Sequence, residues 1–233
     1  LADGIAPFAS SVFNLAETGT AISFFQAWSG ALAYTFQLYF DFSGYSDMAI
    51  GAARLFGIRL PLNFNSPYKA RNIIDFWRRW HRTLSRFLRD YLYMALGGNR
   101  KGDVRRYTNL LATMLLGGLW HGAGWTFIVW GALHGVAICL NRVWMMLNFR
   151  LPSLVGWLIT MLCVVAGWVL FRAETFTDAI NVLNAMYSFG IELPDKFDLE
   201  DWTIVGIGLA FSLLGPTNVE VAKKAFIQRR TVA

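Results

Sequence analysis

Apolar positions dominate long stretches of this chain, and polar positions break them at defined places. The first long run, residues 30–56, is mostly apolar and aromatic and carries Asp41, Ser43, Gly44 and Asp47 within it. About 20 residues suffice for a helix to cross a bilayer, so this run predicts a span. Pro61 and Pro67 then break any helix in the turn LPLNFNSPYKARN. Asn72, with Asp75 three positions on, predicts a helix N-cap. Residues 73–94 follow as one amphipathic helix, with Arg78, Arg82, Arg86 and Arg89 on one stripe and Trp77, His81, Leu84 and Leu88 on another. Such a helix suits the headgroup level of a membrane, or a place partly buried among other helices.

Residues 96–107 read as a basic loop with glycines. Residues 108–147 are mostly apolar but interrupted by Gly117, Gly118, His121, Gly122, Gly124, Gly131 and His134. Both ends of that stretch are basic, so it should cross an even number of times, as two short helices or a re-entrant pair turning near residues 122–124. A broken backbone at membrane depth is tolerated only inside protein or beside a wet cavity, which would place His121 next to one. A span at 154–171, a short outer helix at 175–189 and a last span at 203–214 complete the pattern. No internal repeat is visible.

Composition agrees with a membrane protein. Of the 233 residues, 55% are hydrophobic and 15% charged, against roughly 25% charged in a soluble domain, and mean hydropathy is +0.41. The net charge of +6 is explained by its distribution. Residues 1–53 carry no Lys or Arg, whereas eleven crowd residues 69–106. Residues 173–201 are acidic (Glu174, Asp178, Glu192, Asp195, Asp198, Glu200 and Asp201) with Lys196 as the one basic residue. Lys223, Lys224, Arg229 and Arg230 follow. This alternation is what loops on two sides of a membrane display, and basic residues beside apolar spans argue against nucleic acid. Residues 1–30 have no basic leader and no continuous apolar run, and the chain starts on Leu, so a fragment whose N-terminal part is missing is expected. Cys139 and Cys163 read as packed thiols.

The chemistry is confined to few residues. His81, His121 and His134 are the three histidines. An ionisable group in a membrane segment suggests function, and the bland alternative is a histidine bonding neighbouring helices. For His121 both readings stand; for His134 the bland one is favoured; His81, beside the arginines, reads alone as a packed histidine. The arginines are either ordinary inside-loop charge or a grip on an anionic cofactor such as coenzyme A. Asp41 and Asp47, six apart, fall on different helix faces and read as buried, hydrogen-bonded carboxylates or as groups handling acceptor and proton. There is no Walker loop, CxxC pair, metal-binding HxxxH or GxSxG elbow.

The residues FQLYFDFSGYSDMAIGAARLFGIRLPLNFNSPYKARNIIDFWRRWHRTLSRFLRDYLYMALGGNRKG, then NLLATMLLGGLWHGAGWTFIVWGALHG and GWVLFRAETFTDAINVLNAMY, resemble the membrane-bound O-acyltransferase (MBOAT) family. Within it, the pattern resembles the bacterial branch of alginate O-acetylation and D-alanyl transfer proteins. The likeness runs over residues 1–190. It implies an all-α, polytopic ring of tilted and re-entrant helices around a funnel, of which residues 1–233 would be the C-terminal catalytic portion. It implies that His121, in LWHGAGW, and His81, in FWRRWHRTLS, are the catalytic histidines. Arg78, Arg79 and Arg82 would hold the donor, and Trp120 and Trp125 would shape the cavity. It further implies an inner-membrane enzyme passing an acetyl group from acetyl-CoA to an exported polysaccharide such as alginate, directly or through a periplasmic acetyltransferase partner. No metal or bound cofactor is required. D-alanyl transfer to teichoic acid, a transporter of an acyl carrier and a scaffold for a periplasmic enzyme are the competing readings.

Overall fold

The computed structural model describes residues 1–188, 199–217 and 220–221, whose regular elements are all helices, with no strand among them. Glu192, Asp195, Lys196 and Asp198, and Lys223, Lys224, Arg229 and Arg230, lie outside the described residues, as do the side chains of Glu200 and Asp201. Helix α1 (Ala2–Glu17) packs on α2 (Phe24–Leu55). Gly30 makes this possible, since a Cβ there would lie 2.5 Å from Val12 Cβ. The sequence pattern missed α1 and started α2 six residues late. The overlooked signal is Ser23-x-x-Gln26: Ser23 Oγ accepts from Gln26 N at 3.3 Å, and Gln26 Oε1 accepts from Ser23 N at 3.0 Å. At 1.5 Å per residue α2 is roughly 48 Å long, well over the roughly 30 Å of a bilayer's hydrocarbon core.

The expected single helix over 73–94 is in fact broken. Helix α3 (Ile73–Arg79) begins at Asn72, whose Oδ1 accepts from Asp75 N at 2.8 Å as expected. It stops at Trp80, and α4 (Arg82–Phe87) starts after His81, which sits in the left-handed region at φ 40°. The cause is the preceding turn. Asn63 O takes the Arg82 N–H at 2.9 Å, and Asn65 N donates to Arg79 O at 3.0 Å, so the groups that would have continued the helical ladder bond the turn instead. A π-helical segment, Leu88–Tyr93, follows.

Helices α5 (Gly102–His121) and α6 (Trp125–Met146) form a tight antiparallel hairpin. The basic loop therefore ends at residue 101 rather than 107. Of the glycines expected to interrupt this region, only Gly122 and Gly124 mark a break. Gly118 and Gly131 lie within helices, and a Cβ on either would collide with a backbone oxygen across the hairpin, Phe127 O or Met114 O. Helix α7 (Ser153–Arg172) lies against α6 and α2. Helix α8 (Phe176–Tyr187) is capped by Thr175 and Asp178; Phe189, expected in it, is outside the described residues. Helix α9 (Leu199–Leu214) packs on α2.

Two described helices, α6 and α7, are long and apolar enough to cross a membrane; α2 and α5, expected as spans, are more polar, and α9 is shorter. Leu140, Met145, Leu154 and Ile159 stand exposed on α6 and α7, an apolar surface that suits lipid. The core is aromatic: Phe76, Trp80, Tyr68 and Trp168 interlock beneath the break at His81. Tyr68 OH donates to Thr35 O, and Trp157 Nε1 to Tyr68 O, both at 2.7 Å. Cys139 and Cys163 are free and half-buried.

Candidate active site

His121 is the last residue of α5, where the chain must reverse within three residues to enter α6. Gly122 permits this: a Cβ there would stand 2.5 Å from the Phe127 ring. The His121 ring is half-buried among Trp120, Trp130 and Phe171, with centroids at 4.8, 5.3 and 5.0 Å. Neither of its ring nitrogens hydrogen-bonds a described residue.

His81 is held more firmly. Its Nδ1 lies 3.1 Å from Asn63 Oδ1, which also accepts from Thr83 N at 3.3 Å and Thr83 Oγ1 at 2.9 Å. A backbone N–H can only donate, so the Asn63 atom facing Thr83 is the carbonyl oxygen. His81 Nδ1 must therefore carry the proton, leaving Nε2 with its lone pair. Asn63 Nδ2 in turn donates to Ser46 Oγ at 3.2 Å, which ties the clamp to α2. Edge-on contact with Phe42, at 4.7 Å between centroids, fixes the ring plane. Asn63 was not singled out in the sequence. The signal was an asparagine in a Pro-bounded turn just ahead of a helix that the turn then breaks.

The two histidines border one cavity of about 290 Å³. Leu38 and Phe42 of α2, Trp77, Trp80 and Leu84 around the α3–α4 break, Trp120, Trp130, Trp168 and Phe171 supply its other walls. His81, Leu84 and Trp120 also border a more open apolar cavity of about 610 Å³, with Phe87, Leu88, Leu92 and Leu116. An imidazole at each of two walls of an apolar chamber suits a proton transfer shielded from bulk solvent.

The other expected site residues divide. Trp120 lines the histidine cavity, while Trp125, 73% exposed, does not. Arg78 and Arg82 border a separate basin. Arg79 does not; it pairs with Asp75 at 2.9 Å. Asp41 is exposed and Asp47 half-buried, so neither is the fully buried carboxylate expected. Both border one cavity of about 600 Å³ despite their spacing, because that cavity follows α2 from Tyr39 to Met48, over two turns, and so meets more than one face. His134 is fully buried between the rings of Trp77 and Trp130, with centroids at 5.3 and 5.1 Å. Its expected hydrogen bonds to neighbouring helices are not made with any described residue. Its Nε2 instead abuts Gly167, the site where α7 lacks a side chain.

The family model for MBOAT, the membrane-bound O-acyltransferase family, matches residues 8–173, which include both histidines. The peptidoglycan O-acetyltransferase of Helicobacter pylori is 54% identical over 190 residues, covering 80% of this chain and 36% of that protein. The probable alginate O-acetylase AlgI of Pseudomonas aeruginosa is 52% identical over 192 residues, 82% of this chain and 36% of the relative. The teichoic acid D-alanyltransferase of Streptococcus thermophilus is 38% identical over 119 residues, 48% of this chain and 29% of the relative. The chain thus spans little more than a third of the O-acetylating relatives it matches. With most of its length inside the family model, the chain belongs to the membrane-bound O-acyltransferase family.

Proposed function

We propose that this chain carries the acyl-transfer centre of a multi-pass enzyme of the bacterial inner membrane that O-acetylates an exported polysaccharide. The observation that carries the reading is the meeting of His81 and His121, forty residues apart and on different helices, at one apolar cavity. The O-acetylating relatives match over more of the chain, and at higher identity, than the D-alanyl transferring one. That favours an acetyl group over D-alanine.

In this reading His121, whose ring nitrogens hydrogen-bond no described residue, takes the proton of an acceptor hydroxyl. The oxygen attacks the carbonyl carbon of acetyl-CoA. The tetrahedral adduct collapses, the C–S bond breaks, and the proton returns to the leaving thiolate. His81, with Nε2 unprotonated and its ring fixed by Asn63, positions or polarises the donor. A histidine's ordinary pKa near 6.5 suits a base for this step, and such help contributes roughly 10²- to 10⁴-fold. The immediate acceptor is a sugar hydroxyl or a hydroxyl of a periplasmic acetyltransferase partner.

The test is transfer from labelled acetyl-CoA to polymer by the membrane-inserted protein. His121→Ala should lower the rate at least about a hundredfold with insertion unchanged. A normally inserted His121→Ala protein at the wild-type rate would overturn the assignment. Label crossing the membrane without forming an ester would favour a transporter.

A further inference from the structure

Five arginines converge where the fold brings four elements together. Arg78 comes from α3, Arg82 and Arg86 from α4, Arg89 from the π-helical segment and Arg142 from α6. They border one cavity of about 550 Å³ whose other walls are Ile74, Trp77, Ser85, Leu110 and Ile138; among the described residues no Asp or Glu borders it. Arg89 is matched by Asp90 at 2.7 Å. Arg78, Arg82, Arg86 and Arg142 form no ion pair with a described residue, and Arg142 Nε is buried without an acceptor among the described residues.

Arg82 and Arg142 are half-buried there, whereas Arg78 and Arg86 are exposed. Like charges around one hollow repel, and a half-buried guanidinium without an acceptor is costly, unless an anion completes the set. A single carboxylate matches one guanidinium fork. Four unpaired guanidinia call for an anion with more oxygens and more charge, which is the chemistry of phosphate. The apolar walls Ile74, Leu110 and Ile138 suit an organic group attached to that phosphate. Arg142 stands one turn before the end of α6, a helix able to span a membrane, where basic pockets between helices take anionic head groups.

We infer that this basin is a phosphate-ester binding site, with Arg78, Arg82, Arg86 and Arg142 as its ligand-holding groups. Two sources share that chemistry: the head group of an anionic lipid, and the phosphates of a soluble nucleotide-bearing thioester. The second source rests on the acyl-transfer reading; the site itself does not.

The experiment uses the full chain with two probes. One is adenosine 3′,5′-bisphosphate, titrated in neutral-detergent micelles. The other is phosphatidylglycerol, titrated into phosphatidylcholine nanodiscs. Arg82→Gln/Arg142→Gln should weaken binding of at least one probe by about tenfold or more. Arg100→Gln/Arg105→Gln, which removes the same charge at exposed positions, should stay within about twofold. If the Gln pair fails to fold, Arg82→Lys/Arg142→Lys keeps the charge, loses the fork, and should still weaken binding. The probe that responds identifies the source. Failure of both probes to bind the wild-type chain, or equal weakening by the basin and control pairs, would overturn the site. His121→Ala protein should bind as wild type, so loss of transfer and loss of this site are separable.

Discussion

Asn63 accepts three hydrogen bonds on one oxygen, from His81 Nδ1, Thr83 N and Thr83 Oγ1, and so dictates which nitrogen of His81 is protonated. The same residue's carbonyl takes the Arg82 N–H and ends the helix. One asparagine therefore both makes the bend that presents His81 and sets its tautomer.

Asn63→Ala should lower transfer about tenfold or more by letting His81 adopt the wrong tautomer, whereas Asn63→Asp, which keeps an acceptor facing Nδ1, should retain most of it. Rates of both variants, with folding checked by thermal unfolding, decide the matter. Equal losses would point to a merely structural Asn63.

Leu84 borders both the histidine cavity and the apolar cavity beside it. Leu84→Trp should fill the junction and abolish transfer while the unfolding temperature stays close to wild type. A fully active Leu84→Trp protein would show that substrate does not use this chamber.

The α5–α6 hairpin depends on backbones in close approach at Gly118 and Gly131. Gly118→Ala and Gly131→Ala should each destabilise by about 1–3 kcal/mol through overpacking. Gly51→Ala, inside α2 and with no neighbour within 4 Å of the new Cβ, should instead stabilise by up to about 1 kcal/mol. Thermal unfolding in one detergent compares all three.

Tyr68 is fully buried and bonds Thr35 O. Tyr68→Phe keeps the ring stack and removes the donor, so it should cost about 1–2 kcal/mol and leave transfer little changed. Denaturant unfolding and an activity assay together test this.

Much of the fold was legible because its signals are local. The Asn72 cap, the turn after His121, the run that became α7 and the helix after Thr175 each follow from a few adjacent residues. The break at His81 was not legible, because residues 73–94 keep an unbroken helical period and the interruption comes from Asn63 and Asn65, across the turn. The same limit applies to the site. His81 and His121 were singled out with the help of family motifs, but their shared cavity depends on tertiary packing. Arg79 and Arg82 were both expected to hold the donor, yet Asp75, four residues before Arg79, takes one of them out of the basin. Arg142, fifty residues and more beyond the other arginines, joins it only through the α5–α6 hairpin.

Trp77 borders both the arginine basin and the histidine cavity. A ligand that turns this indole on entering one chamber must reshape the wall of the other. By thermodynamic reciprocity, filling either compartment then alters the affinity of its neighbour by the same factor. The ring is thus placed to couple occupancy on its two sides without any domain having to move.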